Sequence, residues 1–355
     1  MRNEDVELDD LIGGCGEWLR GTGPESDVVI SSRIRLARNL TDMTFPPRAD
    51  ERTKEDAANL LREKILELSP VAFMGYVEVQ GLSKLDRQFL MERQLISREL
   101  ADAKGARGVF IGASESISLM VNEEDHLRLQ GLRSGFDLMN CWQEVNHVDD
   151  ELQTGISFAF SDDFGYLTSC PTNVGTGIRV SVMLHLPALV LTKEIQKVFQ
   201  AMHKMSIAVR GMYGEGSQAL GDFYQISNQT TLGKTEEQIV QRVQHVIPEI
   251  LGYERDARQE LLRKHRARLH DQVSRAHGIL SSARQISTEE AMQHLSHVRL
   301  GINLELLDNI DPGQVNELVM LIQPAHLQKL RHESLDKPER DTARSALLRE
   351  KLRLN

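Results

Sequence analysis

Arginines occur in this sequence where a β-strand would project them from one face. In the segment SSRIRL, which begins at Ser31, strand alternation places Ser31, Arg33 and Arg35 on one side and the apolar residues on the other. Two guanidinium groups then lie side by side, and such like charges repel unless an anion sits between them. Because the planar fork of arginine matches phosphate oxygens, the pattern predicts a phosphate site. A solvated or ion-paired surface position is the ordinary alternative for each arginine alone.

A second segment, RVSVML, repeats this pattern from Arg179 onward. Arg179, Ser181 and Met183 share one predicted face, and the alternating apolar residues point to the core. The polar, glycine-containing stretch TSCPTNVGTG leads into this strand and carries Cys170, for which a buried, inert thiol is the default interpretation. The segment therefore predicts a second arginine-bearing strand that is entered through a turn.

Carboxylates accompany the arginines in two further segments. In VNEEDHLR, the residues Glu123, Glu124 and Asp125 follow a predicted strand, but neighbouring side chains diverge, so an ion site and a plain acidic turn both stay open. The segment RGMYGEGS carries Arg210 and Glu215 and is typical of a loop that closes over a substrate, or of an ordinary surface loop.

Three familiar nucleotide motifs do not fit the sequence. Gly233-Lys234-Thr235 is similar to the end of a P-loop, but Asn228 stands where the first glycine is required. Asp163-Phe164-Gly165 imitates the magnesium motif of protein kinases without their catalytic loop upstream, so we expect a turn. A GxGxxA pattern at Gly214 lacks an evident βαβ unit.

A sheet is needed to position these side chains, and the sequence supplies strand-like segments interleaved with helical ones. A helix is predicted over 192–206 with Thr192 as its N-cap, and a second begins at Thr235, where Gln238 completes a capping box. Strands are predicted at 28–36, 108–113, 116–122, 156–160 and 178–186. The fold class is therefore α+β, with a mixed or antiparallel sheet flanked by helices.

The chain divides into two parts of different composition. Residues 254–355 contain 17 Lys+Arg and 15 Asp+Glu, a net charge of +2. Because the whole chain has a net charge of −10, residues 1–253 have a net charge of −12. All aromatic residues and 22 of the 25 glycines also precede residue 254. We therefore expect two domains with the boundary near Tyr253, an α+β domain in 1–253 and an all-α domain in 254–355. Its helices are predicted over 254–277, after Ser287, between Pro312 and Pro324, and around Pro338.

Composition also excludes several classes of protein. The 355 residues, 40% of them hydrophobic, are enough for one large core or two ordinary ones. No apolar run is long enough to span a membrane, and the acidic start is unlike an export signal, so we expect a cytoplasmic protein. Three cysteines do not make a disulfide framework or a zinc motif, and balanced charge without interleaved aromatic residues argues against nucleic-acid binding.

Taken together and in this order, the segments resemble the ATP:guanido phosphotransferase (phosphagen kinase) family, and in particular its bacterial protein-arginine kinase branch. The resemblance covers roughly residues 24–355. The stretches that carry it are SSRIRLARN, VNEEDHLR, TSCPTNVGTGIR, RGMYGEGS and QISNQTTLGKTEEQIV.

The resemblance implies a role for each motif. It places ATP phosphates among Arg33, Arg35, Arg128, Arg179 and Arg210, and it implies that Mg²⁺ is held by the nucleotide and water, with no metal ligands assigned to the protein. Glu124 and Glu215 would clamp the acceptor guanidinium, with Cys170 beside it. The wider nucleotide site that the resemblance implies also comprises Ser31, Ser32, Ile34, Gln94, Val180, Ser181, Val182, Met183, Gly211, Met212, Tyr213 and Gly214.

The chemistry of a guanidinium explains why these residue types are needed. Its pKa above about 12 makes it a poor nucleophile until a carboxylate orients it and takes its proton, and Glu124 is the first choice for that base. Glu215 would fix the acceptor's rotation, and Cys170, as a thiolate, would add negative charge beside it. Gln94 departs from the family pattern, since the arginine-kinase branch commonly has a histidine there, near the adenine.

The C-terminal part carries a further motif, RDTARS. On a helix, Arg340 and Arg344 share a face with Asp341 close by, so the group could bind a phosphate and a guanidinium, or be an ordinary surface pattern. The resemblance implies allosteric sensing of phosphoarginine by this motif, although Ser345 replaces the family's alanine.

The resemblance also implies a function and partners. The protein would phosphorylate arginine side chains of protein substrates, mark them for a Clp chaperone-protease during stress, form a homodimer, and respond to a zinc-binding activator protein. Two other functions stay open, namely a kinase of a small guanidino metabolite and a non-catalytic adaptor protein.

Overall fold

The fold was determined as a computed structural model, which describes residues 7–68, 74–211, 220–308 and 310–352. Within these ranges no helix is both long enough and apolar enough to cross a membrane.

A single antiparallel sheet of eight strands forms the centre of the described chain, in the order β2-β3-β4-β5-β1-β8-β10-β9. Its strands are β1 (Val29–Arg38), β2 (Met74–Glu78), β3 (Gly108–Gly112), β4 (Ile117–Val121), β5 (Leu127–Ser134), β8 (Ile178–His185), β9 (Ile207–Gly211) and β10 (Phe223–Asn228). A separate hairpin consists of β6 (Phe160–Ser161) and β7 (Gly165–Tyr166), with the Asp163-Phe164-Gly165 segment at its turn, as predicted.

Helices cover the sheet and form the C-terminal region, which confirms the α+β class. They are α1 (Glu51–Glu67), α2 (Lys84–Glu92), α3 (Arg98–Asp102), α4 (Leu138–Gly155), α5 (Pro187–Leu191), α6 (Ile195–Lys204), α7 (Glu236–Ser282), α8 (Thr288–Asn303), α9 (Pro312–Leu321), α10 (Pro324–Arg331) and α11 (Lys337–Lys351).

The two faces of the sheet have the chemistry that strand alternation predicts. Ile34 and Leu36 on β1, with Val180 and Val182 on β8, are fully buried in the main hydrophobic core. The helices α4 and α7 pack against this face. Residues in the alternate positions, among them the arginines, therefore project from the opposite face.

The longest helix, α7, joins the two predicted parts of the chain. It begins at the predicted capping box, in which Thr235 and Gln238 each bond the other's backbone. It then continues for 47 residues to Ser282, with non-helical backbone angles at His265. The predicted helix over 254–277 is the second part of this helix, so the boundary expected near Tyr253 falls inside it.

The C-terminal helices share a second apolar cluster with one end of the central strands. Ile30 of β1 and Met183 of β8 belong to this cluster, together with Met292 and Leu295 of α8. The predicted signals hold here: Ser287 caps α8, α9 ends before Pro324, and Pro338 lies in the first turn of α11. The helical region therefore covers the end of the sheet at which β1 begins.

Some sequence predictions were wrong in detail. Thr192 ends α5 by donating its hydroxyl to Ala188 O at 2.8 Å, and Glu194 occupies the N-cap of α6 instead. In the stretch predicted as a strand over 156–160, only Phe160 belongs to one. A threonine between two short helices satisfies a C-terminal carbonyl as readily as an N-terminal amide, which explains the first error.

Candidate active site

The arginine-bearing face of the sheet forms the floor of a cavity of about 1000 Å³. Seven of the residues predicted to act in phosphoryl transfer line it together: Arg33, Arg35, Arg128, Arg179, Arg210, Glu124 and Cys170. These residues are separated by up to 177 positions in sequence, as counted from Arg33 to Arg210, and the antiparallel sheet brings them onto one surface.

The strand register sets the spacing of the cations. Arg35 on β1 lies directly opposite Arg179 on β8, and Arg33 lies opposite Ser181. On the other side of β1, Ala37 lies opposite Arg128 of β5. The guanidinium groups therefore come from adjacent strands at neighbouring register positions.

Arg33 is held by the side chain of Gln94. Its Nη1 donates to Gln94 Oε1 at 3.1 Å, and its Nε donates to Ser181 Oγ at 3.4 Å. Gln94 has a φ of 63° and its carbonyl accepts from Gln130 Nε2 at 2.7 Å, which fixes this turn to β5. Burial, together with the charges of Arg179 and Arg128, lowers the pKa of Arg33 to about 10.

Arg35 lies in the same unfavourable environment. Burial, followed by the charges of Arg33, Arg128 and Arg179, holds the pKa of Arg35 well below its ordinary value. Its Nε has no hydrogen-bond partner among the described residues. Arg33 and Arg35 thus lie among like charges, as a site for a polyanion requires.

Arg128 is oriented by the carboxylates that precede β5. Its guanidinium lies 2.6 Å from Glu123, 3.2 Å from Glu124 and 3.5 Å from Asp125. Burial alone would lower the pKa of Arg128, but these carboxylates outweigh it and raise the pKa above its ordinary value. Glu123 has a fully buried side chain and also accepts from Ser97 Oγ at 2.5 Å. It therefore anchors Arg128 and takes no place on the cavity surface.

Glu124 is the acidic residue of this group that reaches the cavity. Its side chain is 36% exposed, while those of Glu123 and Asp125 are fully buried. Burial, aided by the charges of Asp125 and Glu123, raises the pKa of Glu124 despite the nearby Arg128. A raised pKa makes this carboxylate a stronger base than an ordinary glutamate.

Asp125 connects the acidic turn to the segment that carries Cys170. Its Oδ1 accepts from Ser169 N at 2.7 Å and from Asn39 Nδ2 at 2.7 Å. Asn39 in turn accepts from the backbone N–H of His126 at 2.9 Å. These bonds fix the positions of Glu124 and Cys170 relative to the end of β1.

Cys170 is partly exposed and lies at the cavity wall, so the default interpretation was wrong in placing this thiol in the interior. Its Sγ lies 3.0 Å from Thr172 Oγ1. The chain then enters β8 through Gly177, whose φ of 65° and close approach to Ala37 O leave no room for a Cβ atom. The glycine thus brings the Cys170 segment against the end of β1.

Other predicted site residues either fall outside the described residues or do not line the cavity. Glu215, Met212, Tyr213 and Gly214 fall outside the described residues. Several others do not line the cavity: Ser32, Ile34, Val180 and Val182 are fully buried on the opposite face, and Ser31, Ser181, Met183 and Gly211 are buried within their strands. The hydroxyl of Ser32 donates to Gly135 O at 2.8 Å, a contact that fixes the end of β5.

The RDTARS motif lies on α11, with Arg344 buried. Arg344 Nε donates to Ile322 O at 2.8 Å, and its Nη1 donates to Ile286 O at 2.8 Å and to Asp341 at 2.6 Å. The Ser345 hydroxyl donates to Arg284 O at 2.5 Å. Arg340 donates to Leu335 O at 2.7 Å and is partly exposed. Arg344 therefore ties α11 to the residues just before α8 and α10.

Sequence reasoning missed several cavity residues that have no motif around them. Gln130, Gln225, Thr288 and Gln323 all line the cavity. Gln130 and Gln225 occupy polar positions in strands, a signal that strand alternation would have shown had β5 and β10 been recognised. Thr288 and Gln323 reach the cavity through packing between distant helices, which no local pattern indicates.

Two family models match the chain. Residues 59–257 match the ATP:guanido phosphotransferase C-terminal catalytic domain. Residues 266–355 match the Protein-arginine kinase McsB C-terminal domain. Residues 258–265 lie between the two matches and include His265, where α7 has non-helical angles.

Curated relatives match nearly the whole chain. A protein-arginine kinase of Halothermothrix orenii is 45% identical over 350 residues, which cover 98% of this chain and 100% of that protein. Protein-arginine kinases of Symbiobacterium thermophilum and Bacillus velezensis are 47% and 42% identical, over 94% and 95% of this chain and 96% and 93% of those proteins.

Solved structures share the fold. A lombricine kinase aligns with a TM-score of 0.57 at 22% identity over 72% of each chain. A duplicated taurocyamine kinase of Schistosoma mansoni aligns with a TM-score of 0.59 at 21% identity, over 86% of this chain and 49% of that longer one. With the cavity and the two family matches, these relatives confirm the resemblance: the chain belongs to the ATP:guanido phosphotransferase family, in its protein-arginine kinase branch.

Proposed function

We propose that the protein transfers the γ-phosphoryl group of ATP to the guanidinium of arginine side chains in other proteins. The observation that carries the proposal is the convergence of five arginines with Glu124 and Cys170 on one cavity. The names and near-complete coverage of the curated relatives support proteins as acceptors.

The arginines would bind the triphosphate and stabilise the charge of the transition state. Arg35 and Arg179 lie opposite each other, and the charge of Arg179 contributes to the lowered pKa of Arg35, so a phosphate between them would be stabilised by both guanidinium groups. Because these positions are fixed by the folded sheet, little reorganisation is needed when the nucleotide binds. Phosphoryl transfer depends mainly on such positioning and charge stabilisation.

Glu124 would act on the acceptor. A guanidinium attacks only after one nitrogen points at the γ-phosphorus and its proton is removed. Glu124 lies beside Arg128, within 3.2 Å, so a carboxylate at the cavity wall adjoins a cation of the phosphate site. The Glu124 carboxylate is paired with the Arg128 guanidinium. When the acceptor guanidinium binds Glu124 instead, Arg128 would turn to the phosphates. Glu215 would hold a second nitrogen, and Cys170 would supply negative charge if ionised.

Magnesium would enter with the nucleotide. Within the described residues no group of three or more His, Cys, Asp or Glu side chains converges as an ion site. Glu123 and Asp125 are directed to Arg128, so this donor set suits an ion that keeps phosphate and water ligands. The ion would supply charge neutralisation at the β- and γ-phosphates.

The C-terminal region would regulate the reaction. We propose that residues 1–253 form the catalytic domain and that residues 254–355 form a helical domain that mediates a homodimer. We also propose that Arg340, Asp341, Arg344 and Ser345 sense phosphoarginine. Arg344 binds Ile286 O and Ile322 O, which lie one or two positions before the cavity residues Thr288 and Gln323. A ligand that changes these contacts would therefore affect the active site. Arg340→Ala should abolish activation by free phosphoarginine while basal activity persists; unchanged activation would remove the proposal.

The cellular role follows the same branch of the family. We propose that the cytoplasmic enzyme marks proteins for a Clp chaperone-protease during stress and responds to a zinc-binding activator protein. The acidic charge of residues 1–253 would attract basic clients, an effect that salt weakens.

One experiment separates the proposed function from its alternatives. The purified protein is incubated with Mg·ATP and either an unfolded arginine-containing protein or free arginine, and acid-labile phosphate is located by mass spectrometry. Phosphoarginine on the protein substrate is the expected result. Transfer to free arginine alone would identify a metabolite kinase, and no transfer to either would identify an adaptor. The Glu124→Gln variant controls for a contaminating kinase.

A further inference from the structure

The C-terminal helices build part of the active-site cavity. Thr288 is the first residue of α8, Gln323 immediately precedes α10, and both line the cavity. Both lie beyond residue 257, where the match to the guanido phosphotransferase catalytic domain ends. The cavity is therefore shared between the catalytic sheet and the helical region.

The strand register shows which end of the cavity these helices close. Ala37, opposite Arg128 and close to Glu124, marks the acceptor end of β1. Six residues earlier, about 20 Å along the strand, Ser31 lies opposite Met183, which lies opposite Gln225 of β10. Met183 packs in the same apolar cluster as α8. A nucleotide with its γ-phosphate near Arg128 would extend its base toward the helices.

A further cavity residue is Gln225, on β10. The residue is 4% exposed, it lines the cavity, and its side chain makes no hydrogen bond to any described residue. It lies opposite Arg210 on β9, so it shares a row with a predicted phosphate ligand. An amide at the cavity surface can donate to and accept from a bound ligand.

Gln323 presents an acceptor of fixed identity. The residue is 4% exposed, and its Nε2 donates to Val319 O at 2.7 Å. Because a carbonyl oxygen only accepts, this bond fixes the amide orientation. No described residue donates to the Oε1 of Gln323, so this oxygen is the group available to a ligand in the cavity.

The position of Gln323 is fixed from both sides. Glu92 of α2 accepts from Ala325 N at 2.9 Å and from His326 N at 3.0 Å, which ties the first turn of α10 to the catalytic part. Arg344 binds Ile322 O on the other side. A side chain held in this way is preorganised, so it can select a ligand at little entropic cost.

We propose that Gln225 and Gln323 bind the nucleotide base and that the C-terminal helical region thereby sets the preference for adenine. Adenine presents an amino donor beside a ring-nitrogen acceptor, the pair that a glutamine amide recognises. The Oε1 of Gln323 accepts from the 6-amino group of adenine and repels the 6-oxo group of guanine. The inference rests on the proposed function only in requiring that the cavity binds a nucleoside triphosphate.

Equilibrium binding tests the inference without any phosphoryl transfer. The dissociation constants of ATP, GTP and inorganic tripolyphosphate are measured by calorimetry for the full-length wild type, Gln225→Met and Gln323→Met. Methionine keeps the volume of glutamine and removes its amide. Gln314→Met is the matched control, because Gln314 also donates to a backbone carbonyl, Lys351 O, but lies outside the cavity.

Each cavity variant should bind ATP about tenfold more weakly and lose most of its preference over GTP. Affinity for tripolyphosphate, which has no base, should stay unchanged, as should all three constants of Gln314→Met. An unchanged ratio of ATP to GTP affinity in both cavity variants would overturn the inference. So would an equal loss of tripolyphosphate binding, because the glutamines would then support the sheet and not the base. Neither result would bear on the proposed arginine-kinase activity, which is tested separately by the phosphoryl-transfer assay.

Discussion

Arg35 and Arg179 lie directly opposite each other on β1 and β8, and no residue separates them along the sheet. Like charges at opposed positions of a sheet destabilise it, and burial increases the cost for Arg35. An anion bound between them would reverse the sign of the interaction. Three predictions test this view of the cavity, and a fourth tests a buried histidine.

Replacing Arg35 by glutamine should stabilise the protein without ligand and weaken anion binding. Removing one of two opposed charges relieves repulsion worth roughly 1 kcal/mol. Thermal unfolding should therefore show a higher midpoint for Arg35→Gln, and added tripolyphosphate should raise the midpoint of the wild type by more than that of the variant. Arg52→Gln, at an exposed position on α1, is the control. A lower midpoint for Arg35→Gln without ligand would contradict the prediction.

Glu124→Gln should separate nucleotide binding from transfer. We expect kcat to fall by a factor on the order of 10² or more, while the dissociation constant of ATP changes little. Because burial raises the pKa of Glu124, the acid limb of the wild-type kcat profile should lie above the ordinary glutamate value of 4.5. Steady-state kinetics across pH, with Glu63→Gln as a surface control, measures both effects. Full activity of Glu124→Gln would rule out this base.

Alkylation should select Cys170 among the three cysteines. Cys170 is partly exposed at the cavity, whereas Cys141 is fully buried and burial raises its pKa to about 12. Burial also raises the pKa of Cys15. Peptide mass spectrometry after brief iodoacetamide treatment should find the label on Cys170, with matching loss of activity. Cys170→Ser should be insensitive to the reagent; inactivation of that variant at the same rate would place the reactive thiol elsewhere.

His126 should make the protein sensitive to mild acid. Burial lowers the pKa of His126 from 6.5 to about 4, so between these values the unfolded chain binds a proton that the folded chain does not. Its contribution to stability is complete above pH 6.5 and decreases as the pH falls below that value. At pH 5 the loss of stability is about 2 kcal/mol.

His126→Asn provides the comparison. Nδ1 of His126 accepts from Leu40 N at 3.2 Å, and an asparagine oxygen can replace it without titrating. Between pH 7 and pH 5 the unfolding midpoint of the variant should decline less than that of the wild type, measured by calorimetry. Equal declines would show that other groups dominate the acid response.

The sequence predicts the arginine face because a strand has a period of two residues. The spacing of Arg33 and Arg35 therefore indicates that both side chains lie on the same face of the strand. It does not predict Gln323, since no local signal connects a residue before α10 with strands almost 100 positions or more away. Thr192 was placed at the wrong helix end because its hydroxyl can satisfy either terminus. Local periodicity therefore specifies the floor of the cavity, while long-range packing specifies its wall.

The continuity of α7 has a consequence for how the chain can be divided. Leu269 and Val273, beyond the kink at His265, belong to the same apolar core as Ile34 beneath the arginines. A truncated gene product ending near residue 253 would leave that interior open to water, and it would be expected to aggregate. The tail is thus a structural component of the catalyst, and it cannot be exchanged for another domain without rebuilding the interior it completes.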